Sequence, residues 1–193
     1  MVLYVDSCVR HDSRTERLAS VLLSELGGEV HHLRLEDLPF EVSDEAFLNQ
    51  RDKLIGEGAF DHSMFALARQ FAAADIIVIA APYWDLSFPA ALKQYIEKIS
   101  VNGITFEYTP EGIPRGLCRA QRLYYVMTAG GDYAPEEYGY GYIQALAQGY
   151  YGIMDVRLIK AVGLDIEGAD VNAILRAEEE TIRKTVYQPL HDS

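Results

Sequence analysis

Short apolar segments alternate with amphipathic segments along almost the whole chain, and this alternation restricts the fold more than any other feature of the sequence. Apolar runs of strand length occupy residues 2–6, 29–35, 122–128 and 155–161, and a further one starts at residue 75. Apolar residues at helical spacing occupy residues 13–26, 60–74, about 137–151 and 170–187, and a further helix starts at residue 88. Five strands separated by helices predict right-handed crossovers and a parallel sheet covered on both faces.

The loops between these segments favour one strand order. Loops rich in ligand-binding residue types follow the first, third and fourth strands. The order 2-1-3-4-5 suits them, because such a sheet binds its ligand at the carboxyl ends of these strands. A Rossmann arrangement is less suitable, since no GxGxxG motif follows a strand. We predict a single domain over residues 1–193, in which the connection at residues 36–59 is irregular and serves as a lid or interface element.

The composition argues against several classes of function. A formal net charge of −12 disfavours binding to nucleic acid or to an anionic membrane. No apolar run approaches the ~20 residues of a membrane helix, and the N-terminus is typical of a first strand instead of an export signal. Cys8 and Cys118 lack metal-type spacing, and the five histidines form no HxxxH pair. We therefore expect no metal site and a cytoplasmic location.

The third strand leads into an aromatic loop, Pro82-Tyr83-Trp84-Asp85-Leu86-Ser87, which we call the ring loop. We expect Ser87 to cap the helix that follows, with Pro89 in its first turn. A flat aromatic loop between a strand and a helix is typical of the place where an open α/β sheet holds a planar ligand. The backbone N–H groups of the loop are expected to face the same edge. Alternatively, its aromatic side chains belong to the core or to an interface.

The loop after the first strand carries Ser7, Ser13, Arg14 and Thr15. Hydroxyl groups and a guanidinium at a helix N-terminus are typical of an anion site, because the backbone N–H groups and the helix dipole favour negative charge there. The hydroxyl density favours a phosphate. Alternatively, Ser13-x-x-Glu16 is a capping box, and the Glu16 carboxylate would compete for the same donors. The absence of a GxxxxGK[ST] pattern argues against a nucleoside triphosphate.

The loop after the fourth strand contains Thr128, Ala129, Gly130 and Gly131. Paired glycines allow the backbone to approach a ligand closely, although Gly-Gly after a strand is also an ordinary turn. Each of the three loops is a modest signal by itself. Because the strands bring all three loops to one edge of the sheet, we predict that they form a single site.

These motifs resemble those of the FMN-dependent NADH-azoreductase and NAD(P)H quinone reductase family, and the resemblance covers nearly the whole chain. Residues 82–89 are similar to the family's P-x-Y-N-F-x-[IV]-P loop, residues 103–109 to its GxTFxYT run, and residues 152–156 to its GIxDV segment. The resemblance implies a flavodoxin-like three-layer sandwich and tightly bound FMN. It also implies a homodimer whose partner subunit closes each flavin pocket, with residues 36–59 and the aromatic segment after Gly131 at the interface.

The resemblance also implies a role for each loop. Ser7, Ser13, Arg14 and Thr15 would hold the FMN phosphate, the ring loop would lie along the flavin ring, and residues 128–131 would cover the other side of the ring. Three residues depart from the family pattern. Asp85 replaces an asparagine and Trp84 a tyrosine, which implies a different redox potential or substrate fit, and Ala129 replaces a larger side chain.

We therefore predict an oxidoreductase with a ping-pong mechanism. NADH or NADPH passes hydride to flavin N5 and leaves, and a quinone or azo compound then receives the hydride. No side chain is needed as acid or base, so no catalytic residue is assigned. Two alternatives stay open: a flavodoxin-type electron carrier without a small-molecule substrate, and a flavin-free relative that has lost the chemistry. The connection at residues 36–59 and the segment at residues 103–109 favour the reductase.

Overall fold

The computed structural model describes residues 1–186, and a five-stranded parallel sheet forms its centre. The strands of this part of the chain are β1 (Val2–Asp6), β2 (Val30–Arg34), β3 (Ile76–Ala80), β4 (Phe106–Tyr108), β5 (Pro114–Gly116), β6 (Arg122–Thr128) and β7 (Asp155–Ala161). The sheet has the order β2-β1-β3-β6-β7, and each neighbouring pair is parallel. The predicted order 2-1-3-4-5 is therefore confirmed.

Helices cover both faces of the sheet, which confirms the three-layer sandwich. They are α1 (Arg14–Leu26), α2 (Glu45–Gly56), α3 (Ala66–Ala73), α4 (Ala90–Ile99), α5 (Tyr140–Leu146) and α6 (Val171–Thr185). Successive side chains of a strand point to opposite faces. Leu3 and Val5 accordingly pack in one hydrophobic cluster with α3, α4 and α5, and Val2 and Tyr4 pack in another with α1 and α6.

The three central strands, β1, β3 and β6, are buried along nearly their whole length. Each large apolar side chain that is fully buried stabilises the fold by about 1.5–3 kcal/mol. The edge strand β2 is mostly exposed by comparison. The loops that follow the central strands are therefore attached to the most tightly packed part of the molecule.

The connection at residues 36–59 is not irregular as predicted, because it contains α2. Asp44 caps this helix, and its Oδ1 accepts a hydrogen bond from the N–H of Phe47 at 2.8 Å. None of the residues of α2 is fully buried. A helix that buries so little of its surface lacks the strong apolar periodicity by which helices are recognised in a sequence.

Several helix ends also differ from the prediction. Ser87 does not cap the helix after the ring loop, because α4 begins at Ala90 and Pro89 occupies its N-cap position without a side-chain hydrogen bond. The helix expected from about residue 137 begins at Tyr140, and its last turn is a π-helix over Ala147–Tyr151. The predicted end of the last helix, Tyr187, lies outside the described residues.

The antiparallel hairpin β4–β5 was not predicted. It packs on the π-helical turn by direct contact between backbones, because a Cβ atom on Gly116 would lie 2.2 Å from the N atom of Gly152. Across residues 1–186, no helix is both long and apolar enough to cross a membrane.

An ion-pair network joins the amino-terminal ends of β6 and β7. Arg122 Nε donates to Asp155 Oδ2 at 2.5 Å, and Arg157 Nε donates to Asp155 Oδ1 at 2.9 Å. The three side chains are largely buried, with exposed fractions of 14%, 18% and 15% for Arg122, Asp155 and Arg157. Burial by itself would raise the pKa of the Asp155 carboxyl. The hydrogen bonds from Arg157 and Arg122 outweigh burial and hold this pKa below its usual range.

We expect Asp155→Asn to lower the free energy of unfolding by about 1–3 kcal/mol at neutral pH, because two largely buried guanidinium groups lose their carboxylate. A carboxyl whose pKa is lowered by folding stabilises the protein above its unfolded pKa of ~4, and this contribution is lost as the pH falls through the folded pKa. The difference between the two proteins should therefore shrink below about pH 4.

Denaturant unfolding at several pH values measures this difference. Asp52→Asn is a matched control, since Asp52 is 67% exposed and its pairing with Arg51 should contribute little. A loss of stability that persists unchanged at low pH would show that the charge of Asp155 is not its cause.

Candidate functional site

A cleft of about 690 Å³ lies at the carboxyl edge of the sheet. Its volume falls in the range of about 300–1,000 Å³ that is usual for cofactor and small-molecule sites. All three predicted loops contribute to it, together with residues that the sequence did not single out. The lining residues are Val9, Arg10, His11, Asp12, Ser13, Arg14, Thr15, Pro82, Tyr83, Trp84, Thr128, Ala129, Gly130 and Asp165.

The N-terminus of α1 forms one part of the cleft. Ser13 is the N-cap residue of α1, and its Oγ accepts a hydrogen bond from the N–H of Glu16 at 3.3 Å. Arg14 and Thr15, the first two residues of the helix, also line the cleft. Ser13 thus caps the helix as the alternative interpretation proposed, and its position at the wall of the cleft leaves a role in anion binding open.

Two buried hydroxyl groups join the first loop to the third. Thr15 Oγ1 and Thr128 Oγ1 lie 2.7 Å apart, and the Thr15 side chain has no exposed surface. Ser7 is placed differently from the prediction. It is 3% exposed, does not line the cleft, and its hydroxyl has no hydrogen-bond partner among the described residues.

The Arg14 side chain is paired with Asp165, a residue that was not predicted to belong to the site. Its Nη1 donates to Asp165 Oδ1 at 2.7 Å and to the carbonyl oxygen of Leu164 at 3.2 Å. Asp165 lies in the loop after β7, the fifth strand along the sheet. Only a general signal points to Asp165 in the sequence, since all loops at the carboxyl ends of parallel strands meet at one edge.

The ring loop contains a tight turn with unusual backbone geometry. Asp85 and Leu86, its central residues, have φ angles of 50° and 65°. The N–H of Trp84 donates to the carbonyl of Ser87 at 3.1 Å, and the N–H of Ser87 donates back at 2.7 Å. Of the N–H groups from Trp84 to Ser87 that were expected to face the carboxyl edge of the sheet, those of Trp84 and Ser87 are therefore paired within the loop. Those of Asp85 and Leu86 make no backbone hydrogen bond within the described chain.

The segment after the third loop holds the ring loop in place. The Tyr83 hydroxyl donates to the carbonyl of Pro135 at 3.1 Å, and the Ser87 hydroxyl donates to the carbonyl of Tyr138 at 3.3 Å. Burial raises the pKa of Tyr83, so its hydroxyl keeps the proton that it donates. Asp85, Leu86 and Ser87 do not line the cleft, in contrast to Pro82, Tyr83 and Trp84.

The two glycines of the third loop have different surroundings. A Cβ atom on Gly130 would lie 2.2 Å from Asp165 Oδ2, whereas one on Gly131 would have no atom within 4 Å. Gly130 lines the cleft and Gly131 does not. The close approach predicted for the paired glycines thus occurs at Gly130, where the neighbour is the Asp165 carboxylate.

The cleft combines two chemical environments. Ser13, Arg14 and Thr15 offer hydroxyls, a guanidinium and the N-terminus of a helix, which suit an anion. Tyr83 and Trp84 offer aromatic surface, and Trp84 is 41% exposed. A site of this kind suits a planar aromatic ligand that carries a phosphate.

A doubly wound α/β sheet with a ligand cleft at its carboxyl edge defines the class of protein. A family model described as flavodoxin-like fold matches residues 1–186. The chain is 37% identical over 199 residues to FMN-dependent NADH:quinone oxidoreductase 2 of Clostridium acetobutylicum, covering 97% of this chain and 96% of that protein. It is also 37% identical to the FMN-dependent NADH:quinone oxidoreductase of Clostridium beijerinckii, covering 95% and 94%. The chain therefore belongs to this flavodoxin-like family, and the resemblance drawn from its sequence is confirmed.

Solved structures share the fold. An azoreductase from Bacillus anthracis strain Sterne superposes with a TM-score of 0.82 at 24% identity, covering 96% of this chain and 97% of that one. An FMN-dependent NADH-azoreductase from Bacillus anthracis strain Ames Ancestor, solved in complex with FMN, superposes with a TM-score of 0.80 at 20% identity, covering 96% of both chains. At these identities the likeness extends to the fold alone.

We expect Leu86→Gly to raise the free energy of unfolding by about 0.5–1 kcal/mol. A left-handed backbone costs a leucine about 1–2 kcal/mol, and the greater flexibility of glycine in the unfolded chain removes part of the gain. Thermal or denaturant unfolding measures the change. Leu117→Gly is the matched control, because Leu117 has a similar exposure, 38% against 43%, without a positive φ angle. If both substitutions destabilise the protein equally, the turn at Leu86 is not strained.

Proposed function

We propose that this protein is an FMN-dependent oxidoreductase that transfers hydride from NADH to quinones or azo compounds. One observation carries the proposal: the cleft joins the N-terminus of α1, with Ser13, Arg14 and Thr15, to the aromatic ring loop. The relatives that match nearly the whole chain carry the same activity in their names. The proposal extends to a single domain over residues 1–193 that works in the cytoplasm.

The residues present fit FMN. A phosphate at the N-terminus of α1 would accept hydrogen bonds from backbone N–H groups, from the Ser13 and Thr15 hydroxyls and from the Arg14 guanidinium. The buried hydroxyl of Ser7, the first residue of this loop, lacks a partner within residues 1–186, and an unpaired buried hydroxyl costs about 1–3 kcal/mol. A phosphate oxygen would supply the missing acceptor. We therefore retain Ser7 as part of the phosphate site.

The ring loop and the third loop are proposed to hold the flavin ring. Pro82, Tyr83 and Trp84 supply the surface along one side, and the free N–H groups of Asp85 and Leu86 supply donors for the polar edge of the ring. Thr128, Ala129 and Gly130 would cover the other side, and Gly131 follows them in the same loop. Once bound, FMN would supply the chemistry of hydride acceptance and hydride donation between NADH and the substrate.

The protein's own task in the reaction is to bind, orient and exclude water. The Tyr83 hydroxyl keeps its proton and donates it in a hydrogen bond to the Pro135 carbonyl, so this side chain is not available as a base. We assign no side chain as acid or base. NADH and the acceptor use the same open side of the cleft in turn, which gives a ping-pong mechanism.

We further propose a homodimer in which the partner subunit closes each cleft. Exposed apolar side chains lie on the ring loop and on the segment that packs against it, namely Trp84 at 41%, Leu86 at 43%, Tyr138 at 58% and Tyr133 at 76%. Such a concentration of exposed aromatic surface is typical of an interface or a ligand-binding rim. The helix α2 and the segment after Gly131 are the proposed contact regions.

The main rival is a flavodoxin-type electron carrier that has no small-molecule substrate. Its acidic surface would suit docking to a protein partner, and the net charge of −12 agrees with that role. Two additions to the minimal fold, α2 and the β4–β5 hairpin, favour the reductase. A flavin-free relative is the remaining possibility, and the absence of bound or bindable FMN would identify it.

The activity test is direct. We expect the purified protein, or the apo-protein after incubation with FMN, to be yellow, to bleach when NADH is added without oxygen, and to recover its colour when a quinone is added. Initial rates at several concentrations of both substrates should give parallel double-reciprocal plots, and the comparison of NADH with NADPH defines the donor. A protein that cannot be reconstituted with FMN would overturn the proposal, and FMN binding without quinone turnover would favour the electron carrier.

The dimer test uses light scattering after size exclusion. We expect a mass of about twice the 21.6 kDa of the chain, and Tyr138→Glu should shift it towards the monomer because a charge would be buried in the interface. Met154→Glu is the matched control, since Met154 is 69% exposed and precedes β7 at the opposite edge of the sheet. A wild-type protein with the mass of a monomer would contradict the dimer proposal.

A further inference from the structure

The backbone of Asp165 is fixed at the point where three loops meet. Successive N–H groups of the loop after β7 donate to carbonyl oxygens of the loop after β6: Gly163 to Gly131 at 2.9 Å, Leu164 to Ala129 at 3.2 Å, and Asp165 to Gly130 at 2.8 Å. Asp165 is thus attached to the loop that we propose to cover the flavin ring.

The Asp165 carboxylate lies between Gly130 and Arg14. A Cβ atom on Gly130 would be 2.2 Å from Asp165 Oδ2, so the glycine provides the space in which the carboxylate lies. The other oxygen, Oδ1, accepts a hydrogen bond from Arg14 Nη1 at 2.7 Å. The carboxylate therefore connects the ring-covering loop to the phosphate end of the cleft.

This contact leaves part of the Arg14 guanidinium free. Nη1 donates to Asp165 and to the Leu164 carbonyl, whereas no hydrogen bond to a described residue is recorded for Nε or Nη2. A guanidinium is a rigid planar fork with five N–H groups, so two acceptors at one nitrogen also orient the other donors. Arg14 is 39% exposed and lines the cleft, which places these donors within reach of a ligand.

We propose that Asp165 is a positioning residue, which holds the Arg14 guanidinium at the phosphate end of the cleft and thereby makes the site prefer a phosphorylated flavin to an unphosphorylated one. The proposal rests on the proposed FMN site. The negative charge of Asp165 would by itself repel a phosphate. Asp165 is 67% exposed and paired with a cation, however, so solvent and Arg14 reduce this repulsion, and the orientation of Arg14 decides the outcome.

The test compares FMN with riboflavin, which has the same ring without the phosphate. Dissociation constants for both are measured by fluorescence titration of the apo-protein, for the wild type, Asp165→Asn, Arg14→Gln and the double variant. We expect Asp165→Asn to weaken FMN binding about fivefold and to leave riboflavin binding nearly unchanged, because one oriented charge-assisted contact is lost. In the Arg14→Gln background, Asp165→Asn should have no further effect on FMN.

Glu167→Gln is the matched control for charge. Glu167 is an exposed carboxylate on the same loop as Asp165 that does not line the cleft, so its loss changes the net charge equally without touching Arg14. It should leave the preference for FMN unchanged. Tighter or unchanged FMN binding by Asp165→Asn, an equal loss for riboflavin, or an undiminished effect without Arg14 would overturn the inference while leaving the proposed function intact. A wild-type protein that binds neither flavin would overturn both.

Discussion

The parallel register of β1, β3 and β6 is the constraint on which the candidate site depends. Asp6 pairs with Ala80, and Ala80 pairs with Val126, so the three strands run side by side at the same level. Backbone hydrogen bonds continue this pairing into the loops: the N–H of Ser7 donates to the carbonyl of Ala80 at 2.9 Å, and the N–H of Tyr83 donates to the carbonyl of Thr128 at 3.0 Å. Because both faces of these strands are buried, a register shift of one residue would move each side chain into the core on the opposite face. The packing of the two cores excludes such a shift. The register therefore determines the positions of the loops that follow β1, β3 and β6.

The loops themselves depart from regular structure where they meet the cleft. Leu86 adopts a left-handed backbone that costs about 1–2 kcal/mol, and Ser7 keeps a buried hydroxyl without a partner in the described chain. Strained and unpaired groups persist where the surrounding packing imposes them, and they are more frequent in binding sites than elsewhere. Both of these lie beside the same cleft. The strained turn at Leu86 thus supports the assignment of the cleft independently of the sequence motifs.

The sequence predicts the sheet and its order because long apolar runs such as residues 76–81 have one solution, a strand buried on both faces. It also predicts the three loops of the cleft, since each follows a buried strand, and the cap at Ser13 marks where the first of them ends. It does not predict Asp165, because a single aspartate has no local pattern and gains its position through hydrogen bonds between two distant loops. The turn at Asp85 and Leu86 is equally hidden, because leucine is not a residue that indicates a positive φ angle. Residues in the correct loop can thus still have an unexpected orientation.

The acidity of the chain and its proposed affinity for a phosphate are compatible because they act over different distances. The field of a net charge of −12 reaches a free anion in solution, but it is screened over about 8 Å at physiological ionic strength. The N–H groups of α1 and the Arg14 guanidinium act at contact, in a cleft where a bound phosphate would be partly desolvated. A site built from fixed backbone donors and one anchored cation accepts a single phosphate group. It offers no continuous positive surface to a nucleic acid, which repeats its phosphates at regular intervals. The same arrangement therefore explains how an acidic protein would hold one anionic cofactor and reject polyanions.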